Sequence, residues 1–339
     1  MKIGLVGFQG SGKSTLFEWL TGVPHDPAQA HLGQSAMAAV HEPRVKPLCD
    51  IYHPKKVTLA SLELLDTPGL ARSHEGNPAR LALIRDCGAI VIVVGAFDGS
   101  DAAADLRRFE EDQLLADLEI VTGRVERLRE SVKKPRPNRD QELAELAALE
   151  PVQAALESSK PLRQSDMNEE QLKATRSFRL LTEKPRLVLV NAADDETDLN
   201  RFTLGGQTVL AVRVGLEREL EKMSAEDRAE FEADMGVTSQ GKDGVLRAIL
   251  DASGQMLYLT AGDKEVRTWM MRRGGTALEA AANIHTDLAR GFIRAETMKS
   301  DDLIRLGGER EIKANNLMRS EPKDYVVHEG DILHIRFSV

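Results

Sequence analysis

The chain has few cysteines and no long apolar run, and each of these shortages excludes a class of protein. Cys49 and Cys87 are the only cysteines among 339 residues, so a disulfide-stapled fold is excluded and a reducing compartment is expected. The longest apolar run, Ala89 to Val94, is far short of the roughly 20 residues of a membrane-spanning helix. The first residues also lack the apolar stretch of a signal peptide. We therefore expect a cytoplasmic protein without a membrane contact.

An excess of positive charge is also missing. The chain has 45 Lys and Arg against 54 Asp and Glu, a formal net charge of −9. A protein that coats a duplex or reads a DNA sequence is therefore not expected, although a local basic face is compatible with this balance. The hydrophobic share of 42% and the charged share of 29% are typical of globular proteins. The length predicts two or three domains.

Short apolar segments alternate with helical stretches along much of the chain. This alternation predicts an α/β domain with a mostly parallel sheet. Three prolines between Gly22 and Val45 predict a mobile loop or a poorly defined edge element there. Strands are predicted at Ile3–Val6, Leu59–Leu65, Ala89–Val94, Arg186–Val190 and Thr208–Val212.

Two further regions differ in pattern from this domain. Apolar residues spaced by alternating steps of four and three predict a helical seam, formed by Leu114, Leu118, Val121, Val125, Leu128 and Val132. A second helix follows the breaker at 133–138, so an antiparallel hairpin is predicted over 112–171. Its tip carries Lys133, Lys134, Arg136 and Arg139, which fits either a solvated loop or a contact for an anionic partner. Residues 256–339 predict a small α+β domain, which leaves 1–111 and 172–255 for the α/β domain.

One string near the N-terminus carries the clearest functional signal. It matches G-x-x-x-x-G-K-[ST] and lies between a predicted strand and a predicted helix. In this motif the glycines let backbone N–H groups surround phosphates, the lysine reaches the β- and γ-oxygens, and the hydroxyl ligates Mg²⁺. We therefore predict a P-loop NTPase domain that binds a nucleoside triphosphate with Mg²⁺. The predicted phosphate-binding residues are Gly7, Gln9, Gly10, Ser11, Gly12, Lys13, Ser14 and Thr15.

A second motif, Asp66-Thr67-Pro68-Gly69, follows the next predicted strand. It matches the D-x-x-G of G-protein-like NTPases, in which the acid holds Mg²⁺ through water and the glycine N–H faces the γ-phosphate. The metal residues are therefore expected to be Ser14 and Asp66. Leu70 occupies the position of the water-orienting glutamine of many GTPases, so that route to hydrolysis is absent. His74 is a weak catalytic candidate, and the catalytic group is otherwise undetermined.

The base-binding string is ambiguous. Asn191-Ala192-Ala193-Asp194 follows a predicted strand at the place where GTPases carry N-K-x-D. A carboxylate at Asp194 suits the N1–H and 2-amino donors of guanine, but Ala192 replaces the lysine that packs on the base. We assign Asn191, Asp194 and Leu216 to the base pocket and leave ATP and GTP as alternatives.

With these residues in place, the chain resembles the YchF/Obg-like ATPase family over nearly its whole length. The strongest part of the resemblance is C-terminal, where five strings are similar to the TGS domain of that family, a ubiquitin-like β-grasp module. They are Thr260–Trp269, Ala281–Asp287, Gly291–Glu296, Asp324–Val327 and Glu329–Asp331. The resemblance implies ATP preference and association with ribosomes or RNA.

Several departures from the family pattern indicate a divergent member. The base-binding string of the family is N-x-x-E, whereas this chain has Asp194 in place of the glutamate. The chain also has no threonine between Gly22 and Val57 that could complete the Mg²⁺ shell. We therefore expect a slow Mg²⁺-dependent hydrolase of ATP or GTP that acts as a ribosome-associated regulator. The alternatives are a GTP-specific binding protein and a ribosome- or RNA-binding module with vestigial hydrolysis.

Overall fold

The computed structural model describes residues 1–29, 31–73, 75–204 and 207–338. The strands are β1 Lys2–Val6, β2 Gln34–Ala39, β3 Lys56–Thr58, β4 Ser61–Asp66, β5 Ala89–Ala96, β6 Arg186–Ala192, β7 Thr203–Leu204, β8 Gln207–Thr208, β9 Leu210–Val212, β10 Gln255–Ala261, β11 Glu265–Arg272, β12 Phe292–Lys299, β13 Arg319–Glu321 and β14 Asp331–Phe337. The helices are α1 Lys13–Thr21, α2 Val45–Tyr52, α3 Asn77–Arg85, α4 Ala102–Ser131, α5 Arg139–Glu157, α6 Glu169–Thr175, α7 Val214–Leu220, α8 Ala225–Met235, α9 Gly241–Ala252, α10 Ala277–Ile284, α11 Thr286–Arg290, α12 Ser300–Leu306 and α13 Glu309–Ala314.

The first compact unit, Met1–Ala36 with Glu63–Lys242, is built on a mostly parallel sheet. The strand order is β2-β4-β1-β5-β6-β9, and β1, β4, β5, β6 and β9 pair in parallel. The continuous apolar run of β5 is buried, as expected for a central parallel strand covered on both faces. This arrangement confirms the predicted α/β class. Within the described residues, no helix combines the length and the apolar character required to cross a bilayer.

The helical hairpin consists of α4 and α5, but α4 begins before the predicted boundary at residue 112. Its N-terminus is capped by Asp101, whose side chain accepts a hydrogen bond from the Ala104 N–H at 2.9 Å. Leu106 and Phe109, in the first turns, belong to the core that covers the parallel sheet. The predicted seam forms a separate core farther along, with Val121, Val125 and Leu128 against Leu149, Val152 and Leu156. One continuous helix therefore serves both cores.

The second compact unit combines Asp243–Val339 with Met37–Leu62. Its sheet has the order β13-β12-β14-β10-β11-β3, and α10 packs on it through the cluster around Tyr258. This is the predicted C-terminal β-grasp fold, with an addition that we assigned to the NTPase domain. Val57 of β3 pairs with Val266 of β11, and Leu48 of α2 is buried in the same core as Leu259. The pairing is remote in sequence and has no motif, so local patterns did not indicate it.

A buried ion network holds this additional segment to the second unit. Glu42 is 1% exposed and accepts two hydrogen bonds from the Arg44 guanidinium, at 2.5 and 2.8 Å. Arg247 lies 3.7 Å from Glu42 and donates a 3.0 Å hydrogen bond to Glu329. Burial alone raises the pKa of Glu42, but hydrogen bonds and charge from Arg44, with the charge of Arg247, hold it below its usual value.

We predict that Glu42→Gln destabilises the second unit by about 2–3 kcal/mol, because the arginines lose a desolvated counter-charge. Hydrogen exchange of peptides from residues 37–62 measures this loss at neutral pH. The folded pKa is lowered, so the ionised Glu42 stabilises above the unfolded pKa and the benefit disappears as pH falls through the folded value. The difference between the two proteins should therefore shrink in acid.

The control is Glu219→Gln, because Glu219 makes an exposed ion pair with Lys222. It should leave the stability of the protein and the protection of residues 37–62 unchanged, because an exposed ion pair contributes little. Equal protection of residues 37–62 in wild type and Glu42→Gln would contradict the assigned role of the network.

Candidate nucleotide-binding site

The phosphate loop between β1 and α1 depends on glycines that approach neighbouring groups closely. Gly7 and Gly12 have φ angles of +145° and +92°, which side chains rarely adopt. A Cβ on Gly7 would lie 2.3 Å from the Val93 carbonyl oxygen, and one on Gly12 would lie 2.2 Å from Asn191 Nδ2. The loop therefore wraps at the carboxyl end of the sheet, where ligands of open α/β folds bind.

Lys13 lies inside this loop and is 6% exposed. Its ammonium donates a 2.7 Å hydrogen bond to the Phe8 carbonyl. Burial lowers the pKa of Lys13 to about 8, since lost hydration outweighs the attraction of Asp66, and the charge of Arg72 lowers it further. An anion bound beside the ammonium would relieve this unfavourable environment. Lys13 is therefore placed to receive phosphate oxygens.

Ser14 and Asp66, the predicted metal residues, are in direct contact. The Ser14 hydroxyl donates a 2.7 Å hydrogen bond to Asp66 Oδ2. Because the hydroxyl proton points to the carboxylate, the oxygen lone pairs remain available to a cation. Asp66 is 5% exposed, and its Oδ1 is buried without a hydrogen-bond partner among the described residues. Hydroxyl and carboxylate oxygens are the donors that Mg²⁺ prefers, so this pair fits the predicted ion.

The Asp66-to-Leu70 segment is joined to the phosphate loop through the backbone. The Gln9 N–H donates to the Leu70 carbonyl at 3.0 Å, and the Leu70 N–H donates to the Gly7 carbonyl at 2.9 Å. A Cβ on Gly69 would lie 2.8 Å from the Lys13 ammonium nitrogen. The Leu70 side chain is fully buried in the hydrophobic core. It therefore contributes to the site through its backbone, and its side chain orients no water.

The base end is a cleft of about 740 Å³. It is lined by Gly10, Gly12, Lys13, Ser14, Thr15, Phe97, Asp98, Asn191, Ala192, Ala193, Asp194, Asp195 and Gly215. Asn191 donates to the Ser11 carbonyl and accepts from the Val214 N–H, both at 3.3 Å, so its amide joins the phosphate loop to α7. Asp194 Oδ1 accepts a 2.8 Å hydrogen bond from the Leu216 N–H. The Leu216 backbone thus helps to orient the predicted base-reading carboxylate.

A smaller chamber of about 270 Å³ lies at the metal end. Its lining includes Gln9, Lys13, Ser14, Asp66 and Gly69, together with residues that sequence reasoning did not assign to the site: His25, Gln29, His31, Gln34 and Arg80. These residues come from segments without a motif, so no spacing indicated them. His74, the weak catalytic candidate, lies outside the described residues.

Arg72, another residue that the sequence did not single out, borders the phosphate loop. It pairs with the buried Asp105 at 2.6 Å and donates a 3.3 Å hydrogen bond to the Gln9 carbonyl. Its guanidinium also lies 5.4 Å from the centre of the Phe8 ring. These contacts fix the loop and add positive charge beside it.

Comparison with known proteins agrees with this geometry. A family model described as "50S ribosome-binding GTPase" matches residues 2–122, and the YchF-GTPase_C model, described as a protein of unknown function, matches 256–338. "Ribosome-binding ATPase YchF" of Haemophilus ducreyi is 32% identical, covering 100% of this chain and 99% of the relative. The chain belongs to the YchF family. The resemblance predicted from the motif strings is thereby confirmed.

Other members of the YchF family are similarly close. "Ribosome-binding ATPase YchF" of Bacillus subtilis is 31% identical, with 99% of each chain covered. "Obg-like ATPase 1" of Oryza sativa subsp. japonica is 35% identical and covers 100% of this chain and 92% of its own. The solved Schizosaccharomyces pombe YchF GTPase superposes with a TM-score of 0.83 at 26% identity, covering 99% of this chain and 97% of the other.

We predict that Lys13→Ala lowers nucleotide affinity by more than about 100-fold, because the ammonium is a charged partner placed inside the phosphate loop. Isothermal titration with ATP and GTP in Mg²⁺ measures the loss. Lys222→Ala, which removes an exposed lysine of the same unit, should leave both affinities unchanged. Equal titrations for Lys13→Ala and wild type would refute the phosphate assignment.

Proposed function

We propose that this chain is a slow Mg²⁺-dependent nucleoside triphosphatase that associates with the ribosome. The observation that carries the proposal is the contact of Ser14 with Asp66 beside the buried Lys13, at the edge of a cleft large enough for a nucleotide. The curated relatives cited above carry the name ribosome-binding ATPase, which supports both parts of the proposal.

The chain's own groups would act by positioning and by electrostatics. The N-terminus of α1 and the Lys13 ammonium would bind the phosphates, and the Gly69 N–H would meet the terminal phosphate. Ser14 and Asp66 would hold Mg²⁺, which neutralises phosphate charge when bound. Leu70 lies in the core, so water positioning depends on other groups. Without a water-orienting glutamine, intrinsic hydrolysis should be slow.

For the nucleotide, we propose a preference for ATP. Recognition of guanine uses both oxygens of an acidic side chain, and Asp194 Oδ1 already accepts the Leu216 N–H. The names of the relatives also favour ATP. The carboxylate itself supports GTP binding as the second candidate, because the other oxygen can still accept a guanine donor.

Side-by-side titration of ATP and GTP tests this preference. We expect wild type to bind ATP more tightly, and Asp194→Asn to change ATP affinity by less than about threefold, because an amide oxygen still accepts the Leu216 N–H. A wild type that prefers GTP, and loses about 1–3 kcal/mol of GTP binding in Asp194→Asn, would establish guanine reading instead.

For the ribosome, we propose the hairpin tip as a contact surface. Arg136 and Arg139 bond to Ser131 and to the Val132 carbonyl, and Lys133 pairs with the exposed Glu130. These partners leave the basic side chains at the surface, where they can meet the phosphates of ribosomal RNA.

The alternative of a ribosome-binding module with vestigial hydrolysis is favoured by the absence of a threonine between Gly22 and Val57.

We predict a turnover on the order of 10⁻³ s⁻¹ for the isolated protein, since intrinsic rates without positioning groups are of this size. Ribosomes should raise phosphate release severalfold, and co-sedimentation should weaken as salt increases. Lys134→Glu with Arg136→Glu should reduce co-sedimentation, whereas Lys222→Glu should not. No phosphate release above the Lys13→Ala background, with or without ribosomes, would favour vestigial hydrolysis.

A further inference from the structure

The segment between α1 and β2 has no threonine, yet hydrogen bonds hold its residues 24–26 beside the metal end. The His25 N–H donates a 2.8 Å hydrogen bond to Glu18 of α1. The neighbours of His25 are both held by the Gln34 side chain, which donates to the Pro24 carbonyl at 2.9 Å and accepts from the Asp26 N–H at 2.8 Å. His25 is therefore placed by a built framework on both sides.

The His25 imidazole reaches the predicted metal residues. Its Nδ1 lies 3.1 Å from Asp66 Oδ2, the oxygen that accepts the Ser14 hydroxyl. The geometry at Nδ1 is not that of an aligned hydrogen bond, and Nδ1 is buried without such a partner among the described residues. Asp66 Oδ1 is likewise buried without a hydrogen-bond partner among the described residues. Two unsatisfied buried polar atoms of residues that line one chamber indicate a polar occupant, because each costs about 1–3 kcal/mol if left unpaired.

We propose that His25 takes the place of the missing threonine at the metal end of the cleft. It is a positioning residue that, with Ser14 and Asp66, holds the Mg²⁺–triphosphate; this inference rests on the proposed function. An imidazole nitrogen can hydrogen-bond a water or an oxygen held beside Asp66 in its neutral form, so the role requires no change in protonation. The segment has no threonine to offer, and the structure places the His25 imidazole beside Asp66 instead.

Glu18 extends this site toward the base end of the cleft. Its second carboxylate oxygen lies 3.2 Å from the Arg218 guanidinium on α7. The same helix carries the Leu216 N–H that bonds Asp194. Glu18 thus connects the helix that orients the base-reading carboxylate with the loop that carries His25, and its removal should misplace the imidazole without deleting it.

The test measures ATP affinity with Mg²⁺ and with EDTA for wild type and His25 variants. We expect His25→Ala to lose about tenfold in Mg²⁺–ATP affinity and to be unchanged in EDTA. His25→Asn, which keeps a nitrogen at the position of Nδ1, should recover most of the loss. His41→Ala, an exposed histidine of the other unit, is the matched control and should behave as wild type.

Three outcomes would overturn the assignment of His25. An equal loss in EDTA would mean that the residue only supports the loop, and no loss would mean that it does not contribute. A gain in Mg²⁺–ATP affinity would mean that the imidazole plugs the site and competes with the ion. A wild-type chain that binds no nucleotide would instead refute the proposed function, which separates the two failures.

A double-mutant cycle tests the positioning by Glu18. Glu18→Ala should lose about threefold in Mg²⁺–ATP affinity. The double variant Glu18→Ala/His25→Ala should bind Mg²⁺–ATP as tightly as His25→Ala does. Fully additive losses would show that Glu18 acts independently of His25 and would overturn this part of the inference.

Discussion

The site depends on backbone approaches that only glycine permits. Gly7, Gly12 and Gly69 each lie where a Cβ would meet another group at less than 3 Å. These approaches bring the phosphate loop to the ends of three neighbouring strands. The two backbone hydrogen bonds between the loop and Leu70 then fix the height of Gly69 above Lys13. The buried Lys13 ammonium lies within this framework.

Within this framework, several polar groups are buried without full hydration or hydrogen bonding, and a bound ligand would reduce the free-energy cost of that burial. Lys13 is buried with a lowered pKa, while Asp66 Oδ1 and His25 Nδ1 have no hydrogen-bond partner among the described residues. Such arrangements occur where a charged ligand completes the site. The same arrangement explains why we expect slow hydrolysis, since it offers groups suited to phosphate and metal but places the Leu70 side chain in the core.

The second unit shows how remote contacts change domain boundaries. The edge strand of its sheet, β3, comes from residues 37–62. Residues of the parallel domain separate this segment in sequence from the rest of the second unit. The ion network around Glu42 stabilises that association because Arg44 and Arg247 approach one carboxylate from distant parts of the chain. The helix α4 shows the opposite effect. One continuous helix contributes residues to two cores, so its sequence gives no sign of the boundary between them.

The sequence by itself determined the family, the fold class, the phosphate loop and the pairing of Ser14 with Asp66, because each is encoded by adjacent residues or by a strand followed by a motif. Periodicity also predicted the seam of the hairpin. Tertiary structure alone decided that residues 37–62 join the second unit and that His25 and Arg80 line the metal end. These placements depend on contacts between residues far apart in the chain, such as Val57 with Val266 and His25 with Asp66. No local pattern of side chains records such contacts, because they arise only when separate elements pack.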